Sequence, residues 1–316
     1  MKIKLLDTDS LGTDTPLDVL SRFGEVEKYT ATSDDEICER VRDAEVIIIN
    51  KVKITERVFA AAPRLRLVCV FATGYDNIDI SAAQKHGVAV CNVPGYSTDS
   101  VALYTVATVL SLVTHLGEYR NYVVSGEYSA SGAPNRLVPV YHEIAGKYWG
   151  ILGYGNIGKA VAKVAEALGA HVLVTKRTPT EEHECVDVDT LCRECDIITV
   201  HCPLNEQTRA IINDSRISLM KKNVVLVNEA RGAVLDEAAV AKAVEEGRIA
   251  AFGCDVYSRE PLPADHPYQR IKAMDNVILT PHAAWGSYES RVRCINIISE
   301  NIEAFVSKKI KNRVDI

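Results

Sequence analysis

Three polar residues stand just after apolar, β-rich runs in the second half of the chain. Arg231 follows Val224–Asn228, Glu260 follows Ala250–Asp255, and His282 follows Val277–Leu279. Taken singly, each reads as an ordinary strand-end or loop residue. Together they deliver a cation, a carboxylate and an imidazole to the carboxyl ends of strands, where α/β enzymes build their sites. That set suits reduction of a 2-oxo acid and the reverse oxidation. An Arg fork can hold a carboxylate and polarise the ketone beside it. A His can supply a proton and take it back. A Glu beside the His fixes its orientation and balances its charge.

A second constellation lies upstream. Tyr148-Trp-Gly-Ile-Leu-Gly-Tyr-Gly-Asn-Ile-Gly158 carries Gly153, Gly155 and Gly158 in GxGxxG spacing. The pattern alone is weak. Here it follows an apolar strand and opens a helical stretch, Asn156–Leu168, which is the context a dinucleotide fold requires. Gly153 permits the tight turn, Gly155 lets a pyrophosphate approach, and Gly158 lets the helix pack close. The helix start offers N–H groups and partial positive charge to phosphate. The next strand ends in Val174-Thr-Lys-Arg-Thr178, without the carboxylate that usually accepts from a ribose 2′-OH. Lys176 and Arg177 favour a 2′-phosphate instead, so NADP(H) is expected ahead of NAD(H).

These residues need strands and helices to place them. Strand-like runs are Lys2–Leu6, Glu25–Tyr29, Glu45–Ile49, Leu67–Phe71 and Val88–Cys91, with helical stretches such as Asp34–Arg42 and Thr55–Ala62 between them. After an interruption the alternation resumes with Tyr148–Leu152, His171–Thr175, Ile197–Val200, Val224–Asn228, Ala250–Asp255 and Val277–Leu279. Short apolar strands alternating with helices predict parallel sheets covered on both faces. The interruption begins with Asp99–Arg120, apolar on nearly every side and so expected as one buried helix between two domains. Asn121–Gly146 is polar and irregular, too long for an ordinary loop, and is expected to pack as an arm on a partner subunit. An amphipathic helix around Arg291–Val306 is expected to return to the first domain. The chain then crosses between domains near Asp99 and near Trp285, which predicts a hinge and a cleft.

Composition narrows the classes. The 316 residues suit two domains, and the apolar and charged fractions of 47% and 25% are those of a globular protein. The net charge of −6, with positive charge not bunched into one run, argues against nucleic-acid or anionic-membrane partners. No stretch reads as a membrane span or a signal peptide. The nine cysteines sit mostly in apolar contexts and read as reduced thiols of a cytoplasmic protein. Cys192 and Cys195 form a lone CxxC with no second ligand pair, so no metal site is expected.

With these segments in view, the chain resembles the D-isomer-specific 2-hydroxyacid dehydrogenase family over almost its full length. The resemblance is carried by the glycine turn, His201-Cys-Pro-Leu204, Asn228-Glu-Ala-Arg-Gly232, Asp255-Val-Tyr-Ser-Arg-Glu-Pro261 and Thr280-Pro-His-Ala-Ala-Trp285. Within the family it looks most like glycerate dehydrogenases and hydroxypyruvate or glyoxylate reductases, through Asn50-Lys-Val52, Ala72-Thr-Gly-Tyr75 and His282-Ala-Ala-Trp285. It implies two doubly wound parallel-sheet domains. A Rossmann dinucleotide-binding domain, residues 99–285, would be inserted in a flavodoxin-like substrate-binding domain, residues 1–98 and 286–316, and the enzyme would be a homodimer. It also implies roles. His282 would be the acid/base, Glu260 would orient it and Arg231 would bind substrate. Asp255 would hold the nicotinamide carboxamide, and Asn156, Ile157, Cys202, Pro203 and Ala230 would line the cofactor. Backbone N–H groups near Thr73 and Gly74 would hold the substrate carboxylate, and Lys51 would add positive charge at the pocket mouth. Two departures stand out: Glu229 occupies a place where small or hydroxylated residues are usual, and Ser100-Val-Ala-Leu-Tyr-Thr105 lacks the usual polar-His pair. Rival readings are a phosphoglycerate or D-lactate dehydrogenase, or a dinucleotide-sensing regulatory protein of the same fold. The intact trio favours an enzyme over the last. That no regulatory domain follows residue 316 weighs against the larger phosphoglycerate enzymes.

Overall fold

The computed structural model describes residues 1–178 and 180–316. The chain forms two compact units, Met1–Ser97 with Gly286–Ile316, and Thr98–Trp285.

The first unit is built on five strands: β1 (Lys2–Leu5), β2 (Glu25–Lys28), β3 (Val46–Ile49), β4 (Leu67–Val70) and β5 (Ala89–Cys91). They pair in parallel in the order β2-β1-β3-β4-β5, a flavodoxin-like arrangement. Ile47, Ile49, Val68 and Val70 pack on one face with Val58 and Phe59. All four residues of β3 and of β4 are buried, as expected of strands covered on both faces. The helix Tyr288–Val306 belongs to this unit and begins at Ser287, whose hydroxyl accepts from the N–H of Ser290.

The second unit has seven strands: β6 (Tyr148–Leu152), β7 (His171–Thr175), β8 (Glu184–Cys185), β9 (Ile197–Val200), β10 (Val225–Asn228), β11 (Ala251–Cys254) and β12 (Val277–Leu279). Their order, β12-β11-β10-β9-β6-β7-β8, is all parallel and reverses direction between β6 and β9. This is the doubly wound Rossmann order with an added strand. Alternate residues feed opposite faces. Ile151, Val225 and Val227 pack with Val106, Val109 and Leu112 of the helix Thr98–Val113. Leu152 and Leu226 pack on the other face with Val240 and Phe252. Each such side chain contributes about 1.5–3 kcal/mol on burial.

The expected helix Asp99–Arg120 is two helices. Thr98–Val113 ends at Thr114, whose hydroxyl bonds back to Leu110 O at 2.6 Å, and His115 turns the chain at φ 52°. The second helix, Leu116–Val124, lies at 64° to the first and buries no residue. The break residues Thr114 and His115 are neither Gly nor Pro, and the nearest glycine, Gly117, falls inside the second helix, so composition did not mark the break. Asn121–Gly146 is correspondingly less irregular than expected, because helix continues to Val124 and resumes over Glu127–Ser131. The helical stretch Asp34–Arg42 is reduced to Ile37–Arg40. Among the described residues no single helix is long and apolar enough to cross a membrane.

Candidate active site

Arg231, Glu260 and His282 follow β10, β11 and β12, which are neighbours in one sheet. Asn228 pairs with Cys254 and Cys254 with Leu279, so the three strand ends are level. The register alone brings the three following segments to one rim. His282 Nδ1 lies 2.6 Å from Glu260 Oε2, and the other Glu260 oxygen accepts from the Tyr257 N–H at 3.0 Å. Both Glu260 oxygens are thereby fixed, and the imidazole takes its orientation from a carboxylate that cannot swing.

His282 itself has φ 55°, a left-handed conformation that costs an L-residue roughly 1–2 kcal/mol. Asp255 stabilises it. This carboxylate, 1% exposed, accepts from Thr280 Oγ1 at 2.6 Å and from the N–H groups of Ala283 and Ala284, each at 2.8 Å. Tyr257 adds a hydroxyl bond to Thr280 O at 2.8 Å. Bracing of the His282 turn by Asp255 was not foreseen in the sequence, although a buried Asp one residue past β11 is the signal that could have shown it.

Arg231 is placed by its neighbours. The Asn228 side chain donates to Arg231 O at 3.0 Å and accepts from the Ala230 N–H at 3.1 Å, and Arg231 Nη1 donates to Ala230 O at 2.8 Å. A Cβ on Gly232 would lie 2.1 Å from the Tyr257 carbonyl carbon. Only glycine lets the Arg231 segment pack on the loop that carries Glu260.

The glycine turn occupies the end of β6, at the switch point of the sheet. Gly153 has φ 103°, and a Cβ there would lie 2.5 Å from Cys202 N. A Cβ on Gly158 would lie 2.4 Å from Gly153 O, whereas Gly155 has nothing within 4 Å. The turn is closed against the sheet on one side and open at Gly155, which is the shape a pyrophosphate needs. Asn156 and Ile157 start the helix Asn156–Ala167, Cys202 is buried beside Gly153, Pro203 is exposed and Ala230 is half-buried. Lys176 and Arg177 are exposed just past β7. The residues present fit a dinucleotide.

Lys51, Thr73 and Gly74 belong to the first unit. Lys51 is exposed on a loop held by Asp7, whose carboxylate accepts from the N–H groups of Asn50 at 3.0 Å, Lys51 at 2.5 Å and Val52 at 3.1 Å. Burial raises the Asp7 carboxyl above its ordinary range even so, against the pull of those N–H groups. Thr73 Oγ1 donates to Val93 O at 2.8 Å, and Asn92 donates to Thr73 O at 2.8 Å.

Two further titratable groups lie in the second unit. Glu229, just past β10, is 8% exposed, and among the described residues neither carboxyl oxygen has a hydrogen-bond partner. Burial, and behind it the charge of Asp255, pushes this carboxyl up to about 9, against a weak opposing pull from Thr108. His201, just past β9, has neither ring nitrogen partnered among the described residues, and burial lowers it to about 3. Among the described residues no group of His, Cys, Asp and Glu could hold a metal ion.

Residues 106–284 match the family described as D-isomer specific 2-hydroxyacid dehydrogenase, NAD binding domain. The chain is 36% identical over 326 residues to the hydroxypyruvate reductase of Blautia hydrogenotrophica, covering 100% of both chains. It superposes on the D-lactate dehydrogenase of Aquifex aeolicus, solved with NAD and lactic acid, with TM-score 0.88 and 29% identity, covering 100% of this chain and 99% of that one. It also superposes on the acyclic imino acid reductase Bsp5, solved with NADPH and D-Arg, with TM-score 0.86 and 29% identity, covering 99% and 100%.

Proposed function

The chain belongs to the D-isomer-specific 2-hydroxyacid dehydrogenase family, and from that premise we propose that it reduces hydroxypyruvate to the D-2-hydroxy acid, or glyoxylate to its achiral 2-hydroxy acid, and catalyses the reverse oxidation. The observation that carries the reading is the 2.6 Å contact of His282 Nδ1 with Glu260 Oε2 on the same rim as Arg231. A bound reduced nicotinamide supplies the hydride. Arg231 grips the substrate carboxylate and polarises the ketone. With Nδ1 engaged by Glu260, His282 delivers its proton to the developing alkoxide from Nε2. Lys51 and the Thr73–Gly74 backbone contribute to carboxylate binding, and Asp255 to the carboxamide end of the cofactor.

NADP(H) is the preferred cofactor in this reading and NAD(H) a usable one, because β7 ends in Lys176 and Arg177 without a carboxylate. Lys176→Asp should move the preference towards NADH by about tenfold. A homodimer is proposed because Leu116, Leu137 and Val140 are 61%, 75% and 68% exposed on one stretch of chain. The nine free thiols, seven of them buried, support a reducing compartment and so the cytoplasm.

The test is a panel of hydroxypyruvate, glyoxylate, pyruvate and phosphohydroxypyruvate with NADH and NADPH. Highest kcat/KM on either of the first two is expected. Preference for pyruvate or the phosphorylated acid would assign a different substrate, and cofactor binding without turnover would make the protein a dinucleotide sensor.

A further inference from the structure

A polar cluster beside the glycine turn takes no part in the hydride and proton chemistry above, and of its members only Lys176 has been assigned a part in cofactor binding. Tyr154, between Gly153 and Gly155, is 4% exposed. Its hydroxyl donates to Glu182 Oε2 at 3.0 Å and lies 2.8 Å from His183 Nδ1. The other Glu182 oxygen accepts from Lys159 Nζ at 2.6 Å, and His183 Nε2 lies 3.1 Å from Glu166 Oε1. Two ammonium groups approach the Tyr154 ring, Lys159 at 5.4 Å and Lys176 at 5.9 Å from its centroid. Lys159, Lys176 and Glu182 therefore converge on one ring just past β7. A doubly wound sheet of this order puts the adenosine ribose of a dinucleotide there.

The charges of this cluster oppose one another. A 2′-phosphate carries close to two negative charges. It would be drawn to Lys159 and Lys176 and repelled by Glu182, which already holds Lys159. Lys159 first, and then Tyr154, keeps the Glu182 carboxyl below its ordinary range, so it is ionised near neutrality. Resting on the reading that this unit binds a nicotinamide dinucleotide, we propose that Glu182 is a specificity-determining residue, a built-in competitor with the 2′-phosphate for the two lysines. The strand end has no carboxylate, and the loop that follows supplies one.

Calorimetric binding of 2′,5′-ADP and of 5′-AMP to the full chain tests this without turnover. Glu182→Gln should tighten 2′,5′-ADP about fivefold and leave 5′-AMP within about twofold. Lys159→Gln should weaken 2′,5′-ADP by a similar factor, because it leaves the carboxylate in place and removes its counter-charge. Both effects should shrink as salt rises, since Glu182 is 53% exposed. An unchanged ratio of the two ligands in Glu182→Gln overturns the proposal. So does equal weakening of both ligands in both variants, which would mark the cluster as a structural clasp. Failure of the wild-type chain to bind either ligand would instead remove the dinucleotide reading, and the proposal with it.

Discussion

Two Glu and His combinations that follow strands of the second unit's sheet differ in pairing and in exposure. Glu260 and His282 lie 2.6 Å apart with 28% and 23% of their side chains exposed. Glu229 and His201 follow the adjacent strands β10 and β9, and among the described residues the Glu229 carboxyl oxygens and the His201 ring nitrogens have no hydrogen-bond partner. Where a partner and water are both at hand, a titratable group can carry charge at little cost. Where both are missing, desolvation removes the charge, raising an acid and lowering a base. Glu229 at about 9 and His201 at about 3 are both neutral at pH 7. The paired arrangement is the one suited to the proton transfer proposed above, whereas the other keeps its titrating atoms out of solvent and uncharged.

Breaking the paired side should give the largest effects. His282→Ala is expected to lower turnover by ~10²–10⁴, with cofactor affinity within a few-fold of wild type. Steady-state kinetics beside direct cofactor binding separates the two, and parallel loss of both would make His282 a structural residue. Arg231→Lys should cost roughly 10²-fold in kcat/KM, because an ammonium cannot make the planar two-donor grip. A value within a few-fold of wild type would remove Arg231 from the site.

Breaking the buried side should leave chemistry alone and change stability, in opposite pH windows. Glu229 holds its proton in the folded chain and loses it in the unfolded one between the ordinary 4.5 and about 9. Stability from this group is complete below 4.5 and falls as pH rises through that range. Glu229→Gln should therefore raise unfolding free energy by about 2–3 kcal/mol at pH 7 and have little effect at pH 4.5. His201 behaves in the reverse sense. The unfolded chain takes up a proton below 6.5 that the folded chain refuses down to about 3. Stability is then lost as pH falls, and His201→Gln should recover about 1–2 kcal/mol at pH 5 and nothing at pH 8. Urea unfolding across pH measures both slopes. A Glu229→Gln curve parallel to wild type would mean that Glu229 is ionised in the folded chain.

Much of this architecture was legible in the residues, and the exceptions share a cause. β6, β7, β9 and β12 have the bounds that their apolar runs suggested, because strands buried on both faces are continuous in sequence. The glycine turn was legible because steric demands on Gly153 and Gly158 leave few residue choices. The break at His115 was not, since a histidine is only a weak signal of a left-handed φ of 52°. The two-residue strand β8 is too short for any periodicity. The hold of Asp255 on the Thr280–Ala284 turn, and of Asp7 on the 50–52 loop, joins residues far apart in sequence. Only the assembled sheets bring them together. Glu229 was visible as an unusual residue, but its buried, neutral state follows from the packing around it.

Glu260 and His282 are expected to act as one unit on the substrate. A double-mutant cycle with Glu260→Gln and His282→Ala measures this directly. If the pair works as a unit, Glu260→Gln lowers kcat/KM about tenfold or more when His282 is present and changes it by less than about twofold when His282 is absent. Equal losses in both backgrounds would show that Glu260 acts independently of the imidazole and would contradict the account.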